Sequence, residues 1–390
     1  MLKAMKSSGK YAVSERNIPL AKPVFTKEME KAAIDALWNE FYVSGESVHK
    51  FEEEFAKYCG VEYAVSTNSG TDAMQIALLA LGVSNGKKAI TSPASFIASA
   101  NAILHAGGDP VFADIDMETY TIAPEKVKRA VGKEVKAIVP VHIYGYPADM
   151  DPIEKIASRH ELYVVEDACQ AHGSLYKGRK VGSLGDVACF SFYPSKNMTV
   201  GGDGGMIVTN NKKVATDAAK LRDCGRQSKY IHDVIGYTAR LNTVNAAIGR
   251  IQLRYLDEWN EKRRRTAEAY DHLLSDLEEL ILPPKGGNGT RPSCHAYVIR
   301  TNCRDALADW LSSKGVHCGI NYPLPIHLQP IYRKMFGYRK GMFPLSEKLC
   351  DTCLSIPMYA ELSREEVNFI SEMIHEFFEK SRGERRTRLL

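Results

Sequence analysis

Between residues 60 and 210 the apolar positions follow two alternating rhythms. Short, nearly unbroken apolar runs occur at 63–66, 88–91, 111–113, 136–142, 162–166, 187–192 and 205–208. Runs of this kind predict strands buried on both faces. Between them lie segments with helical spacing at 71–81, 95–105, 124–131 and 152–160, two of them closed by Gly82 and Gly107. Strand and helix in strict alternation predict a mostly parallel sheet covered by helices on both sides. Upstream, 26–38 reads as an amphipathic helix with Thr26 as its N-cap, and 48–58 as a second helix stopped by Gly60.

Downstream the rhythm changes. Residues 211–222 read as a helix, 223–240 as a polar, irregular loop, and 242–280 as one long helical stretch. The run Pro283 to Gly289 is punctuation. After it, strands at 296–300, 317–321 and 354–356 and helices at 304–314 and 364–380 predict a smaller α/β unit. The expected division is an arm at 1–22, a large domain at 23–255, a small C-terminal domain at 256–382 and a basic tail at 383–390, solvated and frayed.

Composition adds bounds. With 44% hydrophobic and 25% charged residues the chain reads as an ordinary globular protein, and a net charge of +4 over 390 residues gives no reason to expect nucleic acid. An odd, scattered set of 9 cysteines predicts reduced thiols and a cytoplasmic protein. Cys350 and Cys353 have metal-like spacing but lack a second pair, so no metal site is expected. There is no apolar run long enough for a membrane span, and the first residues lack the apolar core of a signal peptide.

Ligands of open parallel sheets bind beyond the carboxyl ends of the strands. After the first strand comes Thr67-Asn-Ser-Gly-Thr71, opening a helix, where small residues and free N–H groups suit a phosphate. It lacks the lysine of a Walker loop and the glycine spacing of a dinucleotide site. After the second strand stands Phe96, placed to stack on a planar ligand. Asp167 ends the strand 162–166, and a carboxylate at a buried strand end needs a cation or a protonated heterocycle. Strand 187–192 stops at Tyr193-Pro194, and Lys196 follows, where desolvation can free its amine as a nucleophile. A phosphate cradle, an aromatic plate, an acid and a desolvated lysine are the parts pyridoxal phosphate needs. The Ser191 hydroxyl and the N–H groups from Ser69 to Thr71 would bind its phosphate.

The segments Ser69-Gly-Thr-Asp-Ala, Pro140 to Asp151, Glu166-Asp-Ala-Cys-Gln-Ala-His-Gly, Ser191-Phe-Tyr-Pro-Ser-Lys-Asn, Gly236 to Ala247 and Pro323-Leu-Pro-Ile-His-Leu-Gln resemble the sugar-nucleotide aminotransferases of the DegT/StrS family, in the family's order, from about residue 20 to 375. The resemblance implies a fold type I pyridoxal-phosphate transferase with a mostly parallel seven-stranded sheet and a small C-terminal α/β domain. It implies a homodimer with shared active sites, and amino transfer from an amino acid, most often L-glutamate, to a keto-sugar nucleotide. By motif, Lys196 would be the Schiff-base lysine and Asp167 the partner of the ring nitrogen. Gln170 would lie near the ring hydroxyl, and Phe96 over the ring. Ser69, Gly70, Thr71 and Ser191 would hold the phosphate, with His327, Tyr322 and Tyr193 on the substrate side. Many relatives donate an asparagine from this region to the neighbouring subunit's phosphate. Thr238 stands in its place here, with Asn242 as a possible substitute. The same core motifs serve amination of a cyclitol or another non-nucleotide ketone. A sugar dehydratase is disfavoured, because there histidine replaces the lysine.

Overall fold

The computed structural model describes the backbone of residues 16–388 and side chains through residue 383. Residues 1–15 of the expected arm lie outside the described residues. The remainder of that arm is tied down: Ile18 N–H donates to Gly315 O at 2.8 Å and Met358 N–H to Leu20 O at 3.0 Å.

The chain opens with α1 (Lys27–Asn39) and α2 (Glu46–Cys59), then β1 (Tyr63–Thr67), α3 (Gly70–Ala80), β2 (Lys88–Thr91), α4 (Ala98–His105), β3 (Asp109–Phe112) and α5 (Pro124–Ala130). It continues through β4 (Val135–Val139), α6 (Met150–His160), β5 (Tyr163–Asp167), a hairpin of β6 (Leu175–Tyr176) and β7 (Arg179–Lys180), then β8 (Val187–Ser191), β9 (Gly205–Thr209) and α7 (Lys212–Arg222). A second hairpin, β10 (Arg226–Ser228) with β11 (Ile231–His232), precedes α8 (Thr243–Leu273). Last come β12 (Tyr297–Arg300), α9 (Arg304–Ser313), α10 (Pro330–Phe336), α11 (Pro344–Thr352), β13 (Cys353–Ile356) and α12 (Arg364–Arg388).

Seven strands form one sheet in the order β1-β9-β8-β5-β4-β2-β3. Pairing is parallel except around β9, which runs antiparallel to both β1 and β8. Strand β8 shows why the sheet is buried on both sides. Ala188 and Phe190 join the apolar layer under α2 and α8, while Val187 and Cys189 join the layer under α3 and α4. On the first face Phe51, Phe55, Phe190 and Phe192 pack ring on ring, with centroids 5.0 to 5.9 Å apart. Helix α8 approaches α2 closely at Gly249, where a Cβ would lie 2.8 Å from the Phe51 ring.

Four expectations change. The helical stretch 242–280 ends at Leu273, where Ser275 Oγ donates to His272 O at 3.0 Å and takes up a terminal carbonyl. α8 also runs through the expected boundary at 255: Leu253 and Leu256 pack on the sheet, whereas Tyr270 packs with Tyr297, Leu354 and Ile370 in a second core. The strand expected at 317–321 is reduced to an isolated bridge of Gly319 with Ser355, beside the two-stranded ladder of β12 and β13. In the tail, the backbone stays helical to Arg388 rather than fraying at 383.

Candidate active site

The carboxyl ends of β1, β2, β5 and β8 converge on a cavity of about 520 Å³. Its walls include Ser69, Gly70, Thr71, Phe96, Asp167, Gln170, Ser191, Tyr193, Lys196 and Tyr322, ten of the residues singled out in the sequence. Each arrives there for a local reason.

Ser69 caps α3, its Oγ accepting the Asp72 N–H at 3.0 Å. The opening N–H groups of a helix have no partner inside it, and the helix dipole favours an anion at that end. Gly70 brings this end against the end of β8, since a Cβ on it would stand 2.6 Å from Ser191 Cβ. The helix start and the Ser191 hydroxyl thus form one cradle that any larger residue at 70 would fill, which fits a phosphate.

Asp167 is 4% exposed and takes two hydrogen bonds: Ser99 Oγ donates to Oδ2 at 2.6 Å, and Cys169 N–H to Oδ1 at 3.2 Å. Ser99 in turn lies 2.8 Å from Ser95 Oγ. These contacts fix the orientation of the carboxylate at the cavity wall, where an acid can face a protonated ring nitrogen. Glu166, the preceding residue, faces away. Its carboxylate accepts from the N–H groups of Gly182, Leu184 and Gly185 at 2.8 to 3.0 Å and lies 3.0 Å from His142 Nε2. His142 Nδ1 accepts from Ala148 N–H, so Nε2 carries the proton and donates to Glu166.

Gln170 is held at both ends of its amide. Tyr144 N–H donates to Oε1 and Nε2 donates to Tyr322 OH, each at 2.8 Å. The Tyr144 ring stacks on Tyr322, with centroids 6.2 Å apart. Phe96 stands at the rim, 57% exposed, with its ring 6.4 Å from that of Tyr322.

Lys196 is half-buried. Desolvation lowers its pKa from the usual lysine value, and the neighbouring Cys169 and Asp167 act against that shift. Burial also pushes His295 well below the ordinary histidine value, with the Lys196 charge adding to the effect.

Three expected site residues lie elsewhere. Asn242 is exposed and caps α8, its Oδ1 accepting the Asn245 N–H at 2.9 Å. Thr238 is exposed beside Cys224, with Oγ1 3.4 Å from the sulfur. His327 is fully buried, its Nε2 3.1 Å from Glu347 Oε1 and its ring packed edge-on to Phe343, so in this arrangement it does not line the cavity. Sequence reasoning missed Ser99, Asp203, His295 and Asn321, which do line it. The spacing of Ser95 and Ser99, one turn apart after a strand end, was the available signal for the first.

Comparison with known proteins agrees with this geometry. The DegT/DnrJ/EryC1/StrS aminotransferase family model matches residues 23–375. The chain is 41% identical to a pleiotropic regulatory protein of Geobacillus stearothermophilus, over 90% of this chain and 94% of that one. It is 37% identical to the dTDP-3-amino-3,4,6-trideoxy-alpha-D-glucose transaminase of Streptomyces venezuelae, over 90% and 93%. The crystal structure of S. venezuelae DesV in complex with a ketimine intermediate superposes with a TM-score of 0.87 at 38% identity, covering 90% of this chain and 94% of that one. The chain belongs to the DegT/DnrJ/EryC1/StrS aminotransferase family, enzymes of fold type I that work with pyridoxal phosphate.

Proposed function

We propose that the protein transfers an amino group from an amino acid, L-glutamate, to a keto-sugar nucleotide, giving an amino sugar for glycan or antibiotic synthesis. The observation that carries this reading is the pairing, in one cavity, of a lysine amine made less basic by burial with a buried, hydrogen-bonded carboxylate. The family membership and the sugar-nucleotide transaminase among the relatives support the substrate class.

Bound pyridoxal phosphate supplies the electron sink for a carbanion next to the amine. The protein's residues do the rest. The helix start at Gly70–Thr71 and the Ser191 hydroxyl would hold the phosphate. Asp167 would face the ring nitrogen, and Ser99 holds the Asp167 carboxylate in place. Gln170, fixed by Tyr144 and Tyr322, would lie beside the ring hydroxyl, and Phe96 would lie over the ring. Lys196 carries the cofactor. Its amine, made less basic by burial, would be the group placed to hold and pass a proton at Nζ. Tyr193 and Tyr322, which line the same cavity, would contact substrate. Lysine at 196, rather than histidine, supports amino transfer over dehydration.

The working unit in this reading is a homodimer. Its support is the apolar stretch Trp38, Phe41 and Tyr42, 83%, 84% and 66% exposed. Thr243, next to Asn242, bonds to the carbonyls of Phe41 and Tyr42, so this stretch borders the residues expected to serve the neighbouring site. The 9 free thiols support a reducing, cytoplasmic setting. No helix among the described residues is long and apolar enough to cross a membrane.

The test adds pyridoxal phosphate, then glutamate, then a panel of keto-sugar nucleotides, and follows the visible spectrum. Glutamate should bleach the band and one keto sugar should restore it. A protein that stays colourless, or a band indifferent to glutamate, would sink the reading.

A further inference from the structure

Behind Lys196 runs a buried amide relay whose direction is set by two main-chain carbonyls. Asn260 Nδ2 lies 2.8 Å from His172 O, which can only accept, so the Asn260 amide is oriented with Oδ1 toward Asn197. That oxygen lies 2.7 Å from Asn197 Nδ2, which also donates to Ser293 O at 2.8 Å. Both N–H bonds of the Asn197 amide are then used, and its Oδ1 is left as an acceptor. The atom facing it, at 3.2 Å, is Nδ1 of His295. Nδ1 must therefore carry the proton, and a neutral His295 has a bare lone pair on Nε2. The ring lines the same cavity as Lys196. Asn197 is 4% exposed and Asn260 1%, so water does not compete for the relay.

We propose that His295 is a positioning residue for Lys196: the relay locks its Nδ1–H tautomer, and Nε2 accepts a hydrogen bond from the Lys196 amine, aiming it across the cavity. The inference rests on the reading of Lys196 as the cofactor lysine. A fixed acceptor would hold the amine in one orientation while it passes a proton, where a freely rotating amine would sample many. Lys196 sits beside Asn197, Asn260 belongs to α8, and His295 precedes β12, so the relay also ties the two cores together at the reactive amine. The titratable and charged groups facing this pair are Asp167 at the end of β5, Cys169 just after it, His172, Asp203 at the rim, and Arg263 of α8.

The experiment uses the full chain freed of cofactor. Competitive acetylation with acetic anhydride, read by mass spectrometry of the Lys196 peptide, gives the pH midpoint of that amine. His295→Asn keeps a polar group near Asn197 but does not reach the cavity, whereas His295→Gln reaches the Nε2 position with an oxygen. An acceptor stabilises the ammonium more than the amine, so His295→Asn should lower the midpoint by about one pH unit, and His295→Gln should stay near the wild type. Equal midpoints in wild type and His295→Asn, or a His295→Gln midpoint that falls with it, would overturn the proposal. Nitrogen-15 spectra of the histidine-labelled wild type provide an arm independent of any variant, since a proton on Nε2 of His295 would overturn it too. Neither readout needs cofactor, so a missing visible band would defeat the reading of the active site alone.

Discussion

At Lys196 burial and charge pull in opposite directions: desolvation lowers the amine's proton affinity, and Cys169 and Asp167 partly restore it. Lys196→Ala should therefore remove cofactor attachment and turnover while leaving the fold in place, checked by absorbance and circular dichroism. At Gly70 the constraint is space. Gly70→Ala sets a methyl 2.6 Å from Ser191 Cβ and should weaken cofactor binding at least about tenfold, read by titration of the apoprotein with pyridoxal phosphate. His172 is wholly buried between Phe190 and Phe192, and among the described residues neither ring nitrogen has a partner within hydrogen-bond distance. Burial takes its pKa from 6.5 to about 3. Between those values the unfolded chain binds a proton that the folded chain refuses, so stability is lost as pH falls below about 6.5. His172→Phe should reduce that loss by about 2 kcal/mol at pH 5, measured by urea unfolding of both proteins at about pH 5 and about pH 7.5.

Among the elements, α8 carries the widest range of tasks. Its N-cap Asn242 satisfies the helix start, and Asn242→Ala should cost about 1 kcal/mol in urea unfolding. A parallel loss of cofactor affinity in the same variant would reveal the cross-subunit contact; unchanged affinity would leave only the cap. How legible each element was follows from what fixes it. Strands β4, β5 and β8 are written as apolar runs because both their faces are covered, and the strand ends then placed Asp167 and Lys196. The segment 317–321 has fewer apolar residues and makes only scattered backbone bonds, Gly319 with Ser355 and His317 N–H to Ile18 O, and a ladder needs a partner that sequence does not name. Ser99 and His295 reach the cavity from a helix and from the approach to β12, through packing between segments far apart in the chain. His327 carried a family motif, yet Glu347 and Phe343 enclose it, an enclosure visible only once α11 is in place.

Over the whole molecule, the exposed stretch from Trp38 to Tyr42 should govern assembly. Phe41→Asp should convert a dimer to monomers in sedimentation and remove activity with it; a dimer that persists would place the interface elsewhere. The neighbouring carboxylates of β5 have a different reach. Glu166 serves three N–H groups and a histidine on one side of the sheet, and Asp167 serves Ser99 and Cys169 on the other. Shifting this strand by one residue against its neighbours would leave Val165 or Asp167 facing the loop at 182–185, with donors stranded at about 1–3 kcal/mol each. The strand thus proofreads its own alignment during folding, and only the alignment that satisfies the rear loop delivers an acid to the cavity.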